Sequence, residues 1–242
     1  MSELPCAHAL MSPVCFGSIP AVIGSKIRNF LGILAATTVV LLLFSQRESH
    51  PQGQALQPLL EGGELIEALQ EGGLVILMRH MSTDSFVPGE GTHDDRDCAS
   101  QRNLDERGRR EARDVGAAFK SLGIQVGTVW TSPYCRCVDT GKLAFGKGTP
   151  SQDLAVFDEL SGKEKGARGK LIRKLLNTTP ADGRNTIMIT HTGTLLYSFG
   201  LQTRPEGIAH IFRPAEFGNA IYLGRVTPEQ WSALAGSMGA GS

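Results

Sequence analysis

The chain has 242 residues, with 24 Lys and Arg balanced by 24 Asp and Glu. A net charge of zero argues against nucleic-acid recognition through a basic surface and against an acidic disordered tail. At 41% apolar and 20% charged residues, disorder along the whole chain is excluded as well.

Charge is unevenly distributed. Residues 1–50 carry only Lys26, Arg28, Arg47, Glu3 and Glu48, leaving 21 basic and 22 acidic residues for 51–242. After a tail over 1–26, Leu31–Phe44 is an uncharged run of 14 residues behind Lys26 and Arg28. A spanning helix takes about 20 apolar residues and a signal h-region roughly 7–15, so 27–46 reads as a signal anchor or a signal peptide. The upstream basic residues orient the N-terminus to the cytoplasm and export the rest. A buried core helix is the competing reading. The expected location is periplasmic or extracytoplasmic, anchored in the inner membrane through 27–46 if that segment is uncleaved. Residues 47–60 form a linker, 61–229 the main domain and 230–242 a C-terminal tail.

Gly63–Leu69 has helical spacing and is stopped by Gly72–Gly73. Leu74–Met78 is a continuous apolar run that suits a strand buried on both faces. Residues 81–103 are polar and rich in Asp, Ser and Gly, a long surface loop of the kind that usually carries function. Asp105–Leu122 is the clearest helix, with Ala112, Val115, Phe119 and Leu122 as its apolar stripe and Gly123 closing it. Val126–Thr131 is the next strand. Ser132 and Pro133 are expected as the cap and first-turn residue of the helix that follows. Leu171, Ile172, Leu175 and Leu176 mark another helix, Thr186–Thr190 a third strand and Gly193–Phe199 a helix behind it. Strands alternating with helices predict an α/β fold: a three-layer α/β/α sandwich with a mostly parallel central sheet, preceded by one N-terminal apolar helix.

Ligand sites in such sheets lie beyond the carboxyl ends of the strands. There the first strand runs into Arg79–His80. The second runs into Thr131-Ser132-Pro133, with Arg136 close behind, and the third into Thr190-His191-Thr192-Gly193. Guanidinium forks bind phosphoryl oxygens bidentately and stay charged. A neutral imidazole attacks phosphorus, and a second can donate to the oxygens as charge moves. No His-x-x-x-His or Cys-x-x-Cys spacing marks a zinc site, and no glycine-rich nucleotide loop is present. His93 and His210 read as surface or core residues, and His8 and His50 lie outside the domain.

LMRH (77–80), SPYCR (132–136) followed by Thr140, and THTG (190–193) together resemble the histidine phosphatase superfamily, in its phosphoglycerate-mutase-like branch, over about residues 70–225. The resemblance implies that His80 is the nucleophile, with Arg79, Arg136 and His191 completing the phosphate pocket and Thr83 a further substrate-binding candidate. It implies a general acid between Arg136 and His191. Glu159 matches that place best, with Asp158 as its neighbour and Asp84, Asp94 and Asp95 as rivals. Met81 and Phe86 stand where the family commonly has glycine and asparagine.

The activity implied is a metal-independent phosphomonoester hydrolase with a phosphohistidine intermediate, a bell-shaped pH profile and no cofactor. A cell-envelope phosphosugar is the specific substrate suggested by analogy with envelope-facing relatives. A phosphoglycerate-type mutase and a catalytically silent phosphate-binding module are the alternatives. The partners expected are a small-molecule phosphomonoester and the membrane through an uncleaved N-terminal segment, with no nucleic acid. In an oxidising compartment one disulfide can form among Cys98, Cys135 and Cys137, and Cys98–Cys135 would pin the long loop beside the Arg136 helix.

Overall fold

The computed structural model describes residues 56–84, 97–157 and 160–239, all within the compact unit Gly53–Ser242. The expected helix over 27–46, most of the linker, and Asp94, Asp95, Asp158 and Glu159 lie outside the described residues. Among the described residues no helix is long and apolar enough to cross a membrane.

The first helix, α1, spans Gly62–Glu71 and buries Leu65, Ile66, Ala68 and Leu69. Strand β1 follows at Val75–Arg79, every residue buried. Helix α2, Glu106–Ser121, starts where the Asp105 side chain accepts the Gly108 N–H at 2.6 Å, which satisfies one of the orphan donors of the first turn. It presents Ala112, Val115 and Phe119 inward, as its spacing predicts. Strand β2 is Val126–Thr131, α3 is Cys135–Phe145, and β3 is the short Thr149–Pro150. Helix α4, Gly162–Leu176, opens with a capping box between Ser161 and Glu164. Then come β4 Asn185–Thr190, α5 Thr192–Phe199, β5 Ala209–Arg213, β6 Ile221–Val226 and α6 Pro228–Gly239.

The six strands form one mixed sheet in the order β3-β2-β4-β1-β5-β6. The first four run parallel, with Arg79 opposite Thr190 and Thr131 opposite Ile189. Strands β5 and β6 are antiparallel additions on the β1 side. Two apolar clusters flank the sheet, and alternate residues of β1 feed them. Ile76 and Met78 join the cluster built with α1, α2, α3 and α6, while Val75 and Leu77 join the one built with α4 and α5.

Three sequence expectations are corrected. The helix carrying Arg136 begins at Cys135 with Tyr134 as its cap, so Ser132 and Pro133 stand outside its first turn. Ser132 instead spends its hydroxyl on the site, as described below. The sheet is mostly parallel as expected, but it holds three strands that the sequence did not reveal, β3 at one edge and the antiparallel β5 and β6 at the other. Residues 230–239, read as tail, belong to α6, whose Trp231 is fully buried against Phe119 at 4.6 Å between ring centroids.

Candidate active site

The parallel order places the carboxyl ends of β2, β4 and β1 side by side, and backbone hydrogen bonds carry the alignment past the strands. His80 N–H donates to Thr190 O at 3.1 Å and Ser132 N–H to Ile189 O at 2.8 Å. His80, Ser132 and His191 therefore share one rim. The imidazole rings of His80 and His191 are 5.5 Å apart between centroids, and both residues are buried, with Arg79 and Arg136 beside them.

His80 Nδ1 is 2.8 Å from the carbonyl oxygen of Met81. A carbonyl only accepts, so Nδ1 carries the proton and Nε2 keeps its lone pair. Burial pushes the His80 pKa well below its ordinary value, and the charges of Arg136 and Arg79 push it further. The ring is thus held as a neutral base with one nitrogen committed to orientation. That is the form a nucleophile requires.

His191 has the opposite tautomer. Arg136 Nη2 donates to its Nδ1 at 3.0 Å, so Nε2 carries the proton and donates to Ser132 Oγ at 2.7 Å. Ser132 Oγ also accepts the Tyr134 N–H at 3.3 Å. Desolvation, followed by the charge of Arg136, keeps His191 neutral well below its ordinary pKa. Cys137 Sγ lies 3.6 Å from His191 Nε2 and 3.7 Å from Thr190 O.

Arg136 is on the first turn of α3, fully buried, with its guanidinium 4.8 Å over the Tyr134 ring. Thr140, one turn on, donates Oγ1–H to Arg136 O at 2.7 Å and accepts the Met81 N–H at 3.2 Å. The disulfide is Cys98–Cys135. It ties the turn Cys98–Ser100 to the start of α3, where Gln101 Oε1 accepts the Cys135 N–H at 2.9 Å.

Arg79 donates from Nη1 to Thr203 O at 2.9 Å and from Nη2 to Glu206 Oε1 at 2.5 Å. Thr83 is turned to the same carboxylate: its N–H meets Glu206 Oε2 at 3.0 Å, and its hydroxyl is 3.2 Å from Oε1. Glu206 was not singled out by sequence reasoning. The sole signal was its position after Pro205, in a stretch between Phe199 and the end of the chain where no element was expected.

Met81, which replaces a glycine of the family pattern, is fully buried in the apolar cluster of α1, α2, α3 and α6. Its space is provided by Gly207, at φ +78°, where an added Cβ would overlap Met81 Sδ and Pro228 Cγ. Asp84, one of the rival acids, is exposed, its N–H 3.4 Å from Asn103 O. His210 is a core residue. It is fully buried, with Nε2–H donating to Gln202 O at 2.8 Å and Nδ1 accepting from the Tyr222 hydroxyl at 3.1 Å.

The arrangement is that of an α/β protein with two neutral imidazoles and two guanidinium groups gathered at one carboxyl rim. The sequence places it further: residues 75–166 match the model of the histidine phosphatase superfamily (branch 1), and the resemblance of this chain is to that superfamily. Among curated proteins none matches the sequence. Many solved structures are similar at low identity, three phosphatases among them. The protein histidine phosphatase SixA, complexed with tungstate, aligns at 16% identity over 64% of this chain and 97% of its own, with a TM-score of 0.47. Phosphoserine phosphatase from Entamoeba histolytica, complexed with 3-phosphoglyceric acid, aligns at 12% identity over 64% and 96%, with a TM-score of 0.48. The ecdysone phosphate phosphatase of Bombix mori, complexed with tungstate, aligns at 16% identity over 60% and 91%, with a TM-score of 0.46.

Proposed function

We propose that the protein is a metal-independent phosphomonoester hydrolase that works through a phosphohistidine on His80. The observation that carries this reading is the tautomer of His80, whose Nδ1–H is tied to Met81 O while Nε2 keeps its lone pair beside two buried arginines. In the first step Nε2 attacks phosphorus, and the bond from phosphorus to the ester oxygen breaks. Arg79 and Arg136 stabilise the charge on the equatorial oxygens, and His191 joins them by turning its Nε2–H from Ser132 Oγ to the substrate. Glu159 gives its proton to the departing alkoxide. Water then attacks the phosphohistidine, Glu159 takes up the water's proton, and inorganic phosphate leaves with His80 neutral again.

The disulfide Cys98–Cys135 supports an oxidising compartment, and so an extracytoplasmic location, tied to the membrane where residues 27–46 are retained. A phosphosugar of the cell envelope is the first natural substrate to test in that compartment.

The test is hydrolysis of an aryl phosphate with and without a chelator, combined with acid-quenched and alkali-quenched trapping of radiolabelled enzyme. We expect chelator-insensitive turnover, an alkali-stable and acid-labile phosphoenzyme, and loss of both in His80→Ala. Full activity in His80→Ala would discard the assignment. A chelator-sensitive rate would replace it with metal chemistry.

A further inference from the structure

We propose that Glu206 is a positioning residue of the phosphoryl site, acting through Arg79 and the start of the loop that follows His80. The proposal rests on the phosphatase reading for its function and on the contacts of Glu206 for its geometry.

The segment 203–208 wraps the end of β1. Thr203 O accepts from the Arg79 guanidinium, Gly207 N–H donates to His80 O at 2.8 Å, and Ile208 O accepts the Arg79 N–H at 3.0 Å. Within this clasp Glu206 uses both carboxylate oxygens, one on Arg79 and the other on the backbone of Thr83. The side chains of Arg79 and Glu206 are 5% and 16% exposed, so the pair is mostly desolvated. Breaking one side of such a pair leaves a buried charge without its partner.

A guanidinium has five N–H groups. Thr203 O on Nη1 and Glu206 on Nη2 fix two of them. Arg79 Nε is buried with no hydrogen-bond partner among the described residues. The buried guanidinium is therefore held at both terminal nitrogens with donor capacity in reserve, which is the requirement for a preorganised anion donor. Without the carboxylate, one carbonyl would be left to orient a buried cation, and Thr83 would lose its anchor as well. Glu206 is thus the counter-charge that fixes Arg79 before substrate arrives.

A residue acting through Arg79 leaves a distinctive signature in a double-mutant cycle. Glu206→Gln keeps the shape and removes the charge; it is to be compared alone and in an Arg79→Ala background, with urea midpoints recorded for each variant. The readouts are kcat/KM on an aryl phosphate and, separately, Kd for inorganic phosphate by calorimetry. We expect Glu206→Gln to lower kcat/KM about tenfold or more alone, and less than about twofold once Arg79 is gone. Where the Gln variant does not fold, Glu206→Asp takes its place in the cycle.

Equal losses in both backgrounds overturn the proposal, since Glu206 would then be only a structural support. If wild type binds phosphate but hydrolyses no aryl ester, the phosphatase reading fails on its own, and the phosphate-binding cycle still decides the role of Glu206. Failure of wild type to bind phosphate at all overturns both.

Discussion

His80 and His191 lie in the same buried pocket, yet their proton positions are set by different neighbours. A backbone carbonyl dictates one, a guanidinium and a hydroxyl the other. Ser132→Ala removes the acceptor of the His191 Nε2–H and leaves a buried donor unsatisfied, which costs about 1–3 kcal/mol. Urea unfolding checks this; a change below about 0.5 kcal/mol, the level of an ordinary surface substitution, would rule it out. For His80 the prediction concerns pH. After burial, Arg136 is the largest influence lowering its pKa. The acid limb of the kcat/KM profile therefore lies below the ordinary histidine value of about 6.5. In Arg136→Gln, loss of the positive charge favours protonation, so the His80 titration moves up toward 6.5. NMR titration of the imidazole measures this without relying on residual activity, and an unmoved or lowered pKa would refute it. Arg79, His80, Arg136 and His191 were legible as one cluster because strand-end placement and residue chemistry coincide, whereas Ser132 read only as a helix cap. Glu206 was not, because its role comes from a loop folding back over β1 from more than a hundred residues away.

Helix α3 shows what patterning could and could not say about an element. Its existence and its display of Arg136 followed from SPYCR after a buried strand, but the start was displaced by two residues. The Ser132 hydroxyl is engaged by His191 and by the Tyr134 N–H, so it does not serve as the helix cap. What holds the start of α3 is tertiary: Gln101 on the Cys135 N–H and the bond from Cys98 to Cys135. That pairing was one of three arithmetical possibilities, and spacing alone could not choose among them. Closing the 37-residue separation stabilises the fold by up to about 4 kcal/mol on the chain-entropy model. Cys98→Ser with Cys135→Ser should lower the urea stability by a few kcal/mol at unchanged pH. It should also weaken phosphate binding, because the same turn holds the carbonyl of Arg102 against Arg136 at 3.5 Å. Thiol titration of denatured protein without reductant is expected to leave both bridge cysteines unreactive. Reaction of both at once would show that the bridge is absent.

At the level of the whole molecule, β1, β2 and β4 of the parallel half could be read because each contains an apolar stretch and leads on to a helix, while the two-residue β3 was too short to show. Strands β5 and β6 could not. AHIFR carries a histidine and ends in arginine, and IYLGRV contains a glycine and an arginine, so neither stands out from a loop until it is paired. The glycine-rich end of the chain likewise concealed α6, although Trp231 closes one core against Phe119. His210 belongs to this hidden half. Its imidazole is buried inside β5 between Tyr222 and Gln202, and desolvation lowers its pKa to about 4. His80 and His191 are lowered in the same direction. Above pH 6.5 a histidine is neutral in both folded and unfolded chains and adds no pH dependence. As pH falls below 6.5, the unfolded chain takes up protons that the native state refuses, and stability declines with each such group. For His210 the decline runs from about 6.5 to about 4 and amounts to about 3 kcal/mol. His210→Gln removes one of the three titrations while retaining a donor and an acceptor. Urea unfolding between pH 7 and pH 4 should therefore give a shallower loss of stability in the variant than in wild type, by roughly one proton's slope over that window. If the two curves run parallel, His210 takes up its proton in the folded protein, and the buried neutral pair with Tyr222 is not what the acid form preserves.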